Sequence, residues 1–169
     1  MKKTKIEIPA RNEIEKKLAE LDAEFEADRA KIEKLKADLQ KRLEKLPEIP
    51  DSISEENIKL VNELKAEEAI IKEQLKRLDE LWENRVARYE EERKPLEIEE
   101  RRIKALAKSV RTQLTYLEPG RAFDKKNQKR DYDRFVEACK LLGIWKSMEQ
   151  WLKTWNAAVT FKSRVIKSL

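Results

Sequence analysis

A chain of 169 residues with 43% charged and 40% hydrophobic side chains, and only 2 Gly and 5 Pro, has the length of one domain and the composition of long helices, not of a sheet. Its formal net charge is +5, and it has no histidine and a single cysteine. That excludes histidine-based catalysis, an intrachain disulfide and a structural zinc site built from four nitrogen or sulfur ligands.

The opening "MKKTKIEIPARNE" is basic, but Glu7, Pro9 and Arg11 interrupt the apolar core that a signal peptide needs. No run reaches the roughly 18 apolar residues of a membrane span. These features lead us to expect a soluble, cytoplasmic protein with no membrane partner. From Ile14 onward, Leu18, Leu21, Phe25, Ile32, Leu35, Leu39 and Leu46 recur at alternating spacings of four and three, a heptad seam with Asp28 and Arg42 as polar interruptions. Asn12, with Glu15 three residues later, reads as the cap of this first helix, which is expected over about residues 12–46.

"LPEIPDSIS" then breaks the pattern. Pro47 and Pro50 cannot continue a helix, and Ser52 with Glu55 forms a second capping pattern. The next seam spans residues 53–117. Val61, Leu64, Ile71, Leu75, Leu78, Trp82, Tyr89, Leu96, Ile103, Leu106, Val110 and Leu117 share one register, with Glu68, Arg85, Glu92, Glu99 and Gln113 as polar exceptions. Two long amphipathic helices joined by a short break predict an antiparallel coiled-coil hairpin. Pro95 lies inside the second seam. Because the register keeps its phase across it, the expectation is a helix that kinks near Pro95 and continues rather than reversing.

Pro119 and Gly120 end the hairpin, which gives an expected division into a 1–118 stalk and a 119–169 head packed on 96–117. In the head, Asp124 is placed to cap a helix over about 125–142, whose apolar face holds Phe135, Val136, Cys139 and Leu142. Gly143 reads as the residue just past its end. A final helix over about 147–168 is opened by Ser147 and Gln150, with Met148, Trp151, Leu152, Trp155, Val159, Ile166 and Leu169 as its apolar stripe. The fold class expected is therefore all-α, a long hairpin with a small helical head.

Charge is unevenly spread. Residues 120–169 hold 12 Lys/Arg against 5 Asp/Glu, whereas the first 119 hold 27 against 29. The segment "RAFDKKNQKRDYDR" concentrates Arg121, Lys125, Lys126, Lys129, Arg130 and Arg134, a pattern that can follow a phosphate backbone. The stretch "EACKLLGIWKSMEQWLKTW" resembles the helix-turn-helix corner of bacterial DNA-binding domains over about 19 residues. Cys139 is small, four residues before Gly143, and Ile144 follows the glycine. The resemblance implies a reading helix after the turn, with Lys140, Lys146 and Lys153 near phosphate. It departs from that pattern at Glu149, where an apolar residue belongs, and at Trp145, where a short polar cap is usual.

Trp145, Trp151 and Trp155 crowd the same region, and tryptophan is enriched at interaction hot spots. The leading expectation is a non-enzymatic adaptor that takes no cofactor or metal and docks a protein partner through these tryptophans, with a homodimer through the stalk as a further expectation. The alternative is a nucleic-acid binder using 121–134 or the helix-turn-helix-like corner at 135–155. Cys139, on the apolar stripe, reads as a small buried residue and not as a reactive thiol.

Overall fold

The computed structural model describes residues 6–116, 129–153 and 158–169, with side chains at 116, 129, 151–153 and 158–161 outside the description. Among the described residues, the regular elements are all helical: α1 (Pro9–Glu44), α2 (Ile58–Tyr116), α3 (Lys129–Leu142), α4 (Trp145–Lys153) and α5 (Ala158–Ser168). The two long helices pack against each other, and a small helical head follows. The chain forms two compact units, one of residues 20–93 (the hairpin unit) and one of residues 1–19 with 94–169 (the head unit).

Helix α1 starts three residues before the expected cap. Ile8 supplies the first accepting carbonyl, to the Asn12 N–H at 3.1 Å, and Pro9 takes the first helical position. A proline is well placed there, because its fixed φ is helical and its missing N–H would have had no intrahelical partner. Helix α2 likewise begins at Ile58 and not near residue 53, with the Asn57 carbonyl accepting from Val61 at 2.9 Å. Asn57, not Ser52 with Glu55, organises that start. Its Oδ1 accepts from the Ser54 N–H at 2.7 Å, and its Nδ2 donates to the Ser52 carbonyl at 3.1 Å. Helix α2 then runs through Pro95 without reversing.

In the hairpin unit Val61, Leu64 and Ile71 are buried. The register is fixed by polar and aromatic pairs whose numbers rise along α1 as they fall along α2, which makes the pairing antiparallel. Phe25 stacks on Trp82 with ring centres 5.0 Å apart and on Tyr89 at 4.0 Å. Arg85 Nε donates to Asp28 Oδ2 at 2.7 Å, and its guanidinium carbon lies 5.6 Å from the Phe25 ring centre. One polar interruption of each seam thus meets the other. The Tyr89 hydroxyl donates to Asp22 Oδ1 at 2.6 Å, and Arg93 pairs with the same carboxylate. The burial stripe departs from the strict heptad at Leu35, which is 51% exposed while Lys36 is half-buried and pairs with Asp79.

One core fills the head unit. Ile8, Ile14 and Leu18 from the start of the chain meet Ile103, Ala107, Val110 and Leu114 of α2, together with Phe135, Ala138, Cys139 and Leu142 of α3, Ile144 and Met148, and Val165 of α5. Along α2 the buried positions here run 103, 107, 110, 114. Ala107 and Leu114 are therefore inside, where the heptad pointed to Leu106 and Gln113. A helix covered from more than one direction buries a broader face than a two-helix seam does, and the buried stripe shifts accordingly.

The α3–α4 corner closes by two backbone bonds, Gly143 N–H to the Lys140 carbonyl at 3.0 Å and Ile144 N–H to the Cys139 carbonyl at 2.9 Å. This is a Schellman cap, and Gly143 takes the left-handed φ of 78° that it requires. Helix α4 begins at Trp145 with Ile144 as its cap, the Ile144 carbonyl accepting from Met148 at 3.1 Å, so Ser147 lies inside the helix and does not open it. Of the final helix expected over 147–168, residues 145–153 (α4) and 158–168 (α5) are helical, and residues 154–157 lie outside the described residues. The start expected near residue 125 and the cap at Asp124 lie outside the described residues.

Two outcomes test this packing. A Cβ at Gly143 would sit 3.1 Å from Pro9 Cβ and Cγ, in addition to the strain of a left-handed φ. Gly143→Ala should therefore lower unfolding stability in urea by about 1–3 kcal/mol. In the hairpin unit the Arg85 hydrogen bond holds the Asp28 carboxyl below its ordinary value of 3.8. A depressed folded-state pKa contributes stability that is fully present above the ordinary value and is lost as pH falls through the folded one. Wild-type protein should lose unfolding midpoint more steeply than Asp28→Leu/Arg85→Met as pH falls below about 4. Asp28→Leu alone should be less stable than that double variant at neutral pH, because it strands the mostly buried Arg85 cation.

Candidate binding site on the head unit

The chain's first described residues are tied to the end of α5. The Ile6 N–H donates to Ser168 Oγ at 2.7 Å, and Arg11 Nη2 donates to the Ser168 carbonyl at 2.6 Å. The Ser168 hydroxyl in turn donates to the Arg164 carbonyl at 2.8 Å. Ser168 is buried, so these bonds satisfy polar groups that would otherwise be costly. They place Ile8, fully buried, next to α2, and bring Arg11 to the edge of the same face.

The result is a groove of about 260 Å³ lined by Ile8, Arg11, Ile103, Lys104, Ala107, Lys108, Arg111 and Leu169. Its floor is apolar and belongs to the core, and its rim carries four cations. Lys104, Lys108 and Arg111 follow one another at spacings of four and three, which puts them on one side of α2. Lys104 makes an exposed pair with Glu100 at 3.2 Å, an interaction of at most about 1 kcal/mol. Lys108 and Arg111 are exposed and pair with no carboxylate among the described residues. The arrangement concentrates positive potential over an apolar floor. Such a site suits an anion that carries an aliphatic group.

A second, more open cavity of about 320 Å³ lies on α3 and the start of α4, lined by Tyr132, Asp133, Val136, Glu137, Lys140 and Trp145. It mixes both charges, so it has no comparable preference for an anion.

The residues singled out from sequence fall as follows. Trp145 is half-buried, packs against the core and borders the second cavity. Trp151 and Lys153 belong to α4, but their side chains lie outside the described residues, as does all of Trp155. Arg121, Lys125 and Lys126 also lie outside, and of Lys129 only its place as the first residue of α3 is described. Arg130 and Arg134 are exposed on α3, and Lys146 is exposed on α4. Among the described residues, the structure does not gather these cations around a cavity, as it gathers Arg11, Lys104, Lys108 and Arg111.

Sequence reasoning passed over that set. The signal was present in "RRIKALAKSVR", residues 101–111, which holds five basic residues and no acidic one. Averaging charge over the first 119 residues concealed it. No group of three or more metal-ligating side chains is found among the described residues. Comparison of the chain with protein-family models, with curated proteins and with solved structures gives no match in any of the three.

Cys139 is fully buried in the core, and burial pushes its thiol up from an ordinary 9.0 to about 12. Thiolate is the reactive form, so the folded protein should resist alkylation. Native protein at pH 8 should react with a thiol reagent no faster than it unfolds, and one equivalent should react at once in denaturant. Prompt reaction of the native form would contradict the burial. Because the folded-state value is raised, the thiol's contribution is present below about pH 9 and is lost as pH climbs toward 12.

Proposed function

We propose that this chain is a non-enzymatic α-helical interaction protein whose head unit docks an acidic segment of a protein partner. The observation that carries the reading is the groove between Ile8 and α2, where Arg11, Lys104, Lys108 and Arg111 surround a floor of Ile8, Ile103, Ala107 and Leu169. A phosphodiester backbone gains from the cations but little from an aliphatic floor. An acidic peptide with one aliphatic anchor uses both. Trp145, Trp151 and Trp155 of the head are further candidate partner contacts in this reading, because tryptophan is enriched at interaction hot spots.

A second reading, nucleic-acid binding, is favoured by the exposed Arg130, Arg134, Lys140 and Lys146 on α3 and α4. It would draw on Arg121, Lys125, Lys126, Lys129 and Lys153 as well. The two readings separate in one titration. Fluorescence anisotropy should show a labelled peptide of alternating glutamate and leucine binding the full chain. Lys104→Glu/Lys108→Glu/Arg111→Glu should weaken that binding by on the order of tenfold or more. Neutralising Lys125, Lys126, Lys129 and Arg130 should leave it unchanged. Tighter binding of duplex DNA, single-stranded DNA or RNA, falling linearly in log[salt] and lost on that neutralisation, would replace the first reading with the second.

A further inference from the structure

Opposite in chemistry to the groove is the linker between α1 and α2. From Pro47 to Ile58 it carries Glu48, Asp51, Glu55 and Glu56 and no basic residue, with Lys45 and Lys59 just outside it. Ile53 is 57% exposed and Ile58 49% exposed, and Leu60 on the first turn of α2 is 55% exposed. Three exposed aliphatic side chains beside four exposed carboxylates make an acidic, apolar surface. The turn is also organised, since Asn57 bonds the Ser54 N–H and the Ser52 carbonyl, and the Ser54 carbonyl accepts from Ile58 at 3.0 Å. Ile53 is thus presented on a bonded turn, and less entropy is lost when it is captured.

We propose that the linker of one copy of this chain docks in the basic groove of a second copy, with Ile53 on the apolar floor and Asp51, Glu55 and Glu56 against Lys104, Lys108 and Arg111. This rests on the reading of the groove as an acidic-segment site and names its occupant. The match is double. The groove supplies cations around an aliphatic floor, and the linker supplies carboxylates around aliphatic side chains. A groove of about 260 Å³ has room for one isoleucine side chain and a neighbouring carboxylate, not for a helix face. Because linker and groove are different surfaces, each copy offers one of each. The contact is heterologous, and repetition yields a chain or a ring. The contact is small and charge-rich, so association is reversible and weakens with salt.

Sedimentation velocity on the full chain tests this, with two variants confined to exposed positions. The groove variant is Lys104→Glu/Lys108→Glu/Arg111→Glu, and the linker variant is Asp51→Asn/Ile53→Ser/Glu55→Gln. Arg11 is left intact because it holds Ser168. Wild-type protein at low salt should show concentration-dependent species beyond the dimer, or a closed ring, and should weaken about tenfold in apparent affinity at several-fold higher salt. Each variant alone should be monomeric, with wild-type circular dichroism. Mixed in equal amounts they retain one intact junction, so the mixture should stop at a dimer.

A wild-type protein that stays monomeric at low salt overturns the proposal, as does association unchanged in both variants, which would place the contact on the hairpin seam. The glutamate–leucine peptide separates the two levels. If it binds the groove of a monomeric wild type, only the occupant is wrong. If it does not bind either, the acidic-segment reading of the groove falls as well.

Discussion

Ile103, Ala107, Val110 and Leu114, on the last turns of α2, must leave water, and most of the head unit is arranged around that need. Each large aliphatic side chain taken fully out of solvent contributes roughly 1.5–3 kcal/mol, but a single partner helix covers only a narrow seam. Here the cover comes from several elements. Helix α3 brings Phe135, Ala138, Cys139 and Leu142, the turn and α4 bring Ile144 and Met148, and α5 brings Val165. Ile8, Ile14 and Leu18 of the chain's first stretch complete it. The Schellman corner follows from the same demand. Ile144 can reach the core only if the chain turns sharply after Leu142, and Gly143 allows that turn with Pro9 lying against it.

The hairpin unit meets a different problem, that of choosing one register among several that a heptad seam would accept. Aliphatic contacts alone discriminate weakly, because a slip of seven residues replaces one apolar pair with another. The polar members of the seam discriminate better. Arg85 is held by Asp28 and lies over Phe25, while Asp22 serves both Tyr89 and Arg93. A slipped register would strand a partly buried guanidinium against aliphatic neighbours, and an unpaired buried charge costs more than the pair contributes. The Tyr89 hydroxyl shows the same coupling. Its pKa is raised chiefly because it donates to Asp22, so the bond favours the protonated phenol.

How much of this could be read from residue order depends on which forces are local. The 3–4 spacing of the apolar residues announced both long helices, since periodicity is set by helix geometry and needs no knowledge of the partner, and the short break between them announced their antiparallel pairing. The polar interruptions at Asp28 and Arg85 were visible, but not that they face each other, which is a matter of register. Ala107 and Leu114 were missed because their burial depends on elements that arrive some twenty or more residues later. Ile8 was missed because a single isoleucine before a proline has no period to betray it. The groove was obscured for a similar reason. Three of its cations share one face of α2, but Arg11 and the floor residues Ile8 and Leu169 come from the two ends of the chain.

That composite origin shapes what the groove can recognise. Its floor is made of core side chains with few rotamers left to choose, so the apolar part of the site is fixed in shape. Its rim is made largely of Lys104, Lys108 and Arg111, long and exposed, whose charges are fixed while their positions adapt. Arg11 differs from these three, because its bond to the Ser168 carbonyl holds it at the edge. A rigid floor with an adaptable charged rim selects for one aliphatic anchor flanked by carboxylates and tolerates variation in the residues around them. Electrostatic attraction of this kind mainly raises the rate of encounter, while the small apolar contact sets how long the complex lasts. A site built this way engages and releases quickly, and its selectivity resides in the pairing of charge with a single buried side chain.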